Sequence, residues 1–241
     1  NTMCSLPKLR WLMNNEPASW ERTVRLAYPK DYIAYRLTGE TGTDHSDASG
    51  SSFYDIRERT WSGKIMGLFG IDGGKLPPLR QSTDIAGFVN AAASGETGIP
   101  AGIPVAAGGS DAVTELLAAG IASSTRCKVR MGTSGALSTV VDRIDGKPGR
   151  YYLWSSVEPG RWMVDINTRS CAASVQWLRE VFYGDESGKN VYDRIDAEAG
   201  TIAPGAGGLV FHPYLMGEDA PFWDPALTGS FWGVRSLHGR A

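Results

Sequence analysis

The sequence predicts a mixed α/β chain on three observations. Apolar residues recur at helical spacing through the first 75 positions, glycine-punctuated strand-prone runs follow, and an amphipathic helix returns later. Leu6, Leu9, Leu12, Trp20 and Val24 mark two short helices, and Pro17 stands where a first helical residue needs no N–H partner. Residues 31–37 make another helix, closed by Gly39 at the position that favours a left-handed backbone. Trp61, Ile65 and Leu68 are expected on one face of a further helix that Gly70 ends.

The pattern changes after Pro77 and Pro78. Residues 85–89 and 103–107 are strand-prone, and the second run enters Gly108-Gly109-Ser110-Asp111 and then an apolar helix to Gly120. Residues 127–131 and 136–141 read as two strands around the compact turn Gly132-Thr133-Ser134-Gly135. Residues 151–155 and 162–166 make a second hairpin around Pro159 and Gly160, 171–183 an amphipathic helix with Trp177 in the core, and 209–212 a buried strand. A domain boundary is expected near 123–126, and the chain shows neither a repeat of fixed period nor a low-complexity segment.

With 241 residues, 42% of them hydrophobic, the chain can build one large core or two ordinary ones. Its 24 Lys and Arg against 26 Asp and Glu give a net charge of -2, which argues against nucleic acid or an anionic membrane as partner and suits a small neutral or weakly charged substrate. Cys4, Cys127 and Cys171 lack the spacing of a zinc ribbon or the density of a disulfide scaffold, so free thiols in a reducing cytoplasm are expected. The weakly polar stretch 99–122 is interrupted by Asp111 and Glu115 and rich in glycine, unlike a membrane span. Residues 1–10 lack a signal-peptide layout, and position 1 is not methionine, so a chain cut from something longer is expected.

Asp111 is the most informative residue. Following glycines that let a substrate approach the backbone, it can accept a proton from a substrate hydroxyl, or it can simply cap a helix. Gly132 to Gly135 can aim N–H groups and hydroxyls at a phosphate, or be a plain hairpin turn. No P-loop pattern and no protein-kinase motif set occurs. His45, His212 and His238 are isolated, so no metal site of protein ligands is expected, and any Mg²⁺ would arrive with nucleotide phosphates, held by one carboxylate and water.

Several segments jointly resemble the FGGY carbohydrate kinases, xylulokinase-like members in particular. They are Pro29-Lys30-Asp31-Tyr32, Tyr35-Arg36-Leu37-Thr38-Gly39-Glu40, Thr43-Asp44 with Ser46-Asp47-Ala48-Ser49-Gly50, and Trp61-Ser62. The Gly108-to-Asp111 turn, the Gly132-to-Gly135 turn and Ser174-Val175-Gln176-Trp177-Leu178-Arg179 follow in family order. So do Pro213-Tyr214-Leu215, Gly217-Glu218, Pro221, Trp223-Asp224-Pro225, Gly229 and Phe231-Trp232-Gly233. The resemblance implies two actin-like (ribonuclease H-like) domains, both incomplete, with residues 1–124 the later part of the N-terminal domain and 125–241 the early part of the C-terminal one.

It further implies a kinase that moves the γ-phosphoryl group of ATP, with Mg²⁺, onto a sugar or polyol, a pentulose such as xylulose being the expected acceptor. Asp111 matches the catalytic base and, with Ala112, the sugar site. Gly132, Thr133, Ser134 and Gly135 match a phosphate motif, while Ala172 and Gln176 match positions near the nucleotide. Ala172 stands where glycerol kinases have glycine, and Ala112 where the family usually has Asn or Gln. The family's first phosphate hairpin and its Gly-Gly-Gly adenosine motif are missing from these residues, so the chain alone is expected to be inactive. A homodimer is compatible with this reading, and a non-catalytic sugar-binding or regulatory remnant of the same fold is its rival.

Overall fold

The computed structural model describes residues 4–144, 149–184 and 190–239. Helices Ser5–Asn15 and Pro17–Arg22 open the chain, with Pro17 at the predicted first helical position. Helix Pro29–Thr38 begins on a second such proline. It is fixed by the Asp31 carboxylate, which accepts the Tyr28 N–H at 3.1 Å, and ends at Gly39 with φ of 83°. Short strands Thr43–Asp44 and Leu79–Arg80 pair in parallel, and Ile85–Phe88 pairs antiparallel with Pro104–Ala106, the strand that leads to Asp111.

The helix expected to carry Trp61 is shorter than its pattern suggested. Ser62 caps helix Gly63–Phe69, its hydroxyl accepting the Ile65 N–H at 3.4 Å, so Trp61 falls outside it in strand Thr60–Trp61. There the indole packs 5.5 Å from Phe53 and donates to the Pro77 carbonyl at 3.0 Å, whereas Leu68 is 76% exposed. Helix Ala91–Thr97 was not legible in advance, because its alanine-rich sequence has no apolar stripe; Asn90 starts it by accepting the Ala93 N–H at 2.9 Å.

The chain divides into two compact units. The first comprises Asn1–Arg126, Thr139–Asp145 and Leu153–Val164. It holds two apolar clusters, one of Leu9, Phe53, Ile71 and Leu76 and one of Val113, Leu116, Ile121, Val140, Val157 and Met163. The second cluster lies beneath the helix Asp111–Ala118. Leu116 is 1% exposed there, so Leu116→Ala should lower unfolding free energy by about 2–5 kcal/mol in a urea titration. A loss below about 1 kcal/mol would show that the cluster does not hold this helix.

The second unit comprises Cys127–Ser138, Gly146–Tyr152 and Asp165–Ala241. Strands Lys128–Met131 and Gly135–Val141 form the expected hairpin with Met131 opposite Gly135. By hydrogen bonding these two strands belong to a four-stranded sheet in the order Lys128–Met131, Gly135–Val141, Trp162–Thr168, Tyr152–Ser155, whose residues 139–141, 153–155 and 162–164 are counted in the first unit. Helix Ala172–Phe182 follows, and Trp177 on it is half-buried rather than fully in a core, stacked 6.0 Å from Phe211. Strand Val210–His212 is not the buried strand expected. It pairs only with Ser230–Trp232 among the described residues, so one edge stays unpaired, and Val210 is 44% exposed. Helix Asn190–Gly200 was missed as well.

Candidate functional site

Strand Pro104–Ala106 delivers the chain into a turn in which Gly108 has φ of 71°, a backbone that a side chain would strain. Ser110 takes the N-cap position, and Asp111 is the first residue of helix Asp111–Ala118. The Asp111 side chain is exposed and accepts the N–H of Ala112 at 2.7 Å. Ala112 packs against the apolar cluster of Val113 and Leu116. The Ser110 hydroxyl oxygen is buried without a protein partner among the described residues.

Beneath this turn lies a buried polar network. The Asp44 carboxylate, 0% exposed, accepts the Ser46 N–H at 2.9 Å, the Ser46 hydroxyl at 2.5 Å and the Ser82 hydroxyl at 2.7 Å. Lys30 places its ammonium 2.6 Å from Asp31, 3.1 Å from Asp44 and 3.2 Å from Asp47. Burial pushes the Asp44 carboxyl up, yet Lys30 and the two serine hydroxyls outweigh it and hold its pKa below the ordinary value. Burial also drives the Lys30 ammonium down, and its three carboxylates more than reverse this, raising its pKa.

Asp47 behaves oppositely to Asp44. Burial, with Asp44 adding to it and Lys30 opposing it, raises its carboxyl to about 6. The folded state therefore keeps a proton that the unfolded chain releases near 4, and stability falls as pH climbs through that window to about 6. Asp44, with its pKa depressed, contributes stability above the ordinary carboxylate value and loses it as pH falls through the folded value. Asp47→Asn should therefore raise the melting temperature at pH 7 and flatten the decline between pH 4 and 6. At about 1.4 kcal/mol per unit the effect is on the order of 3 kcal/mol. A variant whose melting temperature parallels the parent's across that range would contradict this assignment.

In the second unit, the turn of Gly132, Thr133, Ser134 and Gly135 is fastened to the start of helix Ala172–Phe182. The Thr133 carbonyl accepts the N–H groups of Cys171 at 3.0 Å and Ala173 at 3.2 Å, and the Gly132 carbonyl accepts that of Ala172 at 2.8 Å. These bonds occupy the first donors of the helix, leaving the exposed Thr133 side chain at the tip. Gly135 is required by close packing, since a β-carbon there would sit 2.9 Å from Thr168 Cγ2 and 3.2 Å from Cys171 Cβ. Gln176, one helical turn beyond Ala172 and also exposed, donates to Glu180 at 3.0 Å.

The structure thus brings Gly132 to Gly135 together with Ala172, and it places Asp111 and Ala112 in the other unit. Sequence reasoning missed Lys30, Asp44, Ser46 and Ser82 as a set. Their signal was present in part, because Pro29-Lys30-Asp31 and Asp44-His45-Ser46-Asp47 concentrate ionisable groups in two capped segments. Among the described residues no group of three or more His, Cys, Asp or Glu could hold a metal ion, and no helix is long and apolar enough to cross a membrane.

Comparison with characterised proteins agrees with this architecture. Residues 1–118 match the N-terminal domain, and residues 104–241 the C-terminal domain, of the FGGY family of carbohydrate kinases. The chain is 35% identical over 235 residues to a xylulose kinase of Lactococcus lactis, covering 97% of this chain and 46% of that protein. It is 29% identical over 243 residues to a gluconokinase of Bacillus licheniformis, covering 98% and 47%. The crystal structure of xylulose kinase from Rhodospirillum rubrum superposes with a TM-score of 0.90 at 30% identity, over 100% of this chain and 48% of that one. The chain therefore spans about half the length of the relatives it matches. With both of the family's domains matched along its length and a mixed helix and sheet architecture that superposes on the family's actin-like fold, the chain belongs to the FGGY family of carbohydrate kinases.

Proposed function

We propose that the full-length protein transfers the γ-phosphoryl group of ATP to a sugar hydroxyl, with a pentulose such as xylulose as the acceptor. The observation that carries this reading is the exposed Asp111 carboxylate, presented on a glycine turn at a helix start in a chain of this family. In the proposed reaction Asp111 accepts the hydroxyl proton as the new oxygen–phosphorus bond forms and the bond to the leaving ADP oxygen breaks. Thr133 and Ser134, between Gly132 and Gly135, offer hydroxyls and backbone N–H groups to phosphate oxygens, and Ala172 and Gln176 lie on the helix to which that turn is bonded. When bound, the nucleotide supplies the phosphoryl group, and its Mg²⁺ neutralises phosphate charge. The exposed tip at Thr133, with its hydroxyl and neighbouring backbone N–H groups, fits a phosphate.

On this reading residues 1–124 are the later part of the N-terminal kinase domain and 125–241 the early part of the C-terminal one. Ala112, the residue after the base, borders the sugar through its backbone. Xylulose is favoured over other acceptors because xylulose kinases are among the similar relatives at 30–35% identity, whereas the gluconokinases, like one further xylulose kinase, are 28–29% identical. The test is ATP-dependent phosphorylation by the full-length protein of xylulose, ribulose, gluconate and glycerol. Xylulose is expected to give the highest kcat/KM, and a clear preference for gluconate or glycerol would overturn the acceptor. The rival reading, a sugar-binding remnant, is favoured by Ala112 facing the apolar cluster where an amide side chain is usual in the family. Sugar binding with no phosphorylation of any of the four would support the rival.

A further inference from the structure

We infer that Ser46, through the buried Asp44 carboxylate, is the positioning residue that fixes the Asp111 turn; this rests on the reading of Asp111 as the base. The Ser46 hydroxyl gives its hydrogen to Asp44 at 2.5 Å and uses a lone pair to accept the Ser110 N–H at 2.8 Å, directly before Asp111. Because Asp44 is ionised and acceptor-only, it dictates which way the Ser46 hydrogen points, and the lone pair facing Ser110 is set by that choice. Both Asp44 and Ser46 are 0% exposed, so neither can exchange this arrangement for water.

The turn is seated on the same network at two further points. The Gly108 N–H donates to the carbonyl of Ser82, whose own hydroxyl donates to Asp44. A β-carbon on Gly109 would approach Ser46 Oγ to 3.3 Å, so that glycine lets the turn settle directly onto the hydroxyl. A general base works only within hydrogen-bond reach of its proton, and a displacement of about 1 Å in such a group can cost on the order of 100-fold in rate. Ser46 touches neither substrate nor nucleotide on this reading. It acts by holding the peptide that carries the base.

Ser46→Ala in the full-length protein removes the hydroxyl with little change of volume and leaves the Ser110 N–H without its acceptor. The variant should lose at least about tenfold in kcat, while sugar Kd changes less than about threefold. The decisive measurement is a double-mutant cycle. If Ser46 acts through Asp111, adding Ser46→Ala to Asp111→Asn should change the residual rate by less than about twofold. A loss of tenfold or more in both backgrounds would mean a general structural effect and would overturn the proposal. An Asp111→Asn protein that keeps its rate would instead remove the base reading, a different outcome from the failure of the anchor.

Amide hydrogen exchange of the parent protein gives a test that needs no variant to fold. The Ser110 amide should exchange as slowly as the amides of helix Asp111–Ala118 that bond within the helix. Exchange of Ser110 at the rate of an open loop would overturn the anchor whatever the kinetics show.

Discussion

Asp111→Asn in the full-length protein is expected to lower kcat for sugar phosphorylation by about 100-fold or more while leaving sugar Kd within a few-fold. Asn is close to isosteric and can still accept a hydrogen bond from the sugar hydroxyl, but its amide cannot take the proton as the oxygen–phosphorus bond forms. Ground-state binding therefore survives while the transition state loses its base. A purely structural role predicts that neither kcat nor Kd changes, because Asn serves a helix start about as well as Asp. Ser110 holds the cap position without a side-chain cap bond, and the exposed Asp111 carboxylate one residue later accepts the Ala112 N–H at 2.7 Å, so the kinetic comparison is what separates the two roles. An Asn variant retaining more than about a tenth of the parent kcat could not be reconciled with a base contributing at least 100-fold.

How much of this was legible in the sequence depended on the range of the interactions involved. The helix start at Pro17, the stop at Gly39 and the turn from Gly132 to Gly135 are local, and proline and glycine announce them, whereas the helix read from residue 31 starts two residues earlier, at Pro29. Trp61 misled because its spacing to Ile65 is helical, whereas the competing signal, a capping serine at position 62, decides the boundary. The polar network was illegible for a different reason. Lys30, Asp44, Ser82 and Ser110 come from four segments, and no periodicity links a buried carboxylate to a serine 38 residues away. The docking of the Gly132 and Thr133 carbonyls on the start of helix Ala172–Phe182 was hidden in the same way, because backbone groups leave no mark in the residue types.

The second large effect is expected at Lys30. Its ammonium stands among three carboxylates, and Lys30→Met would leave Asp44 buried and charged without that partner. Removing one side of a buried ion pair costs about 3–5 kcal/mol, and because Lys30 is 25% exposed the lower end, about 3 kcal/mol, is expected at pH 7. The defect should shrink toward pH 5, where protonation relieves the unpaired carboxylates, beginning with Asp47, already raised to about 6 in the parent. Urea titrations of both proteins at pH 7 and pH 5 measure this. An equal gap at the two pH values would show that packing of the lysine stem, not its charge, is what the variant lost.

The seating of the Asp111 turn on Ser46 also bears on the order in which the protein acquires its shape. The bond from Ser110 to Ser46 spans 64 residues and that from Ser82 to Asp44 spans 38, whereas the helices that flank them close within a few residues. Contacts between distant parts of a chain are rewarded only after the entropy of closing the intervening loops has been met, so helices are expected to form before this network. Substitutions within it should then leave the refolding rate nearly unchanged and speed unfolding, with φ-values near zero at Ser46. The turn that presents Asp111 would be among the last parts of the chain to become ordered and among the first to be released.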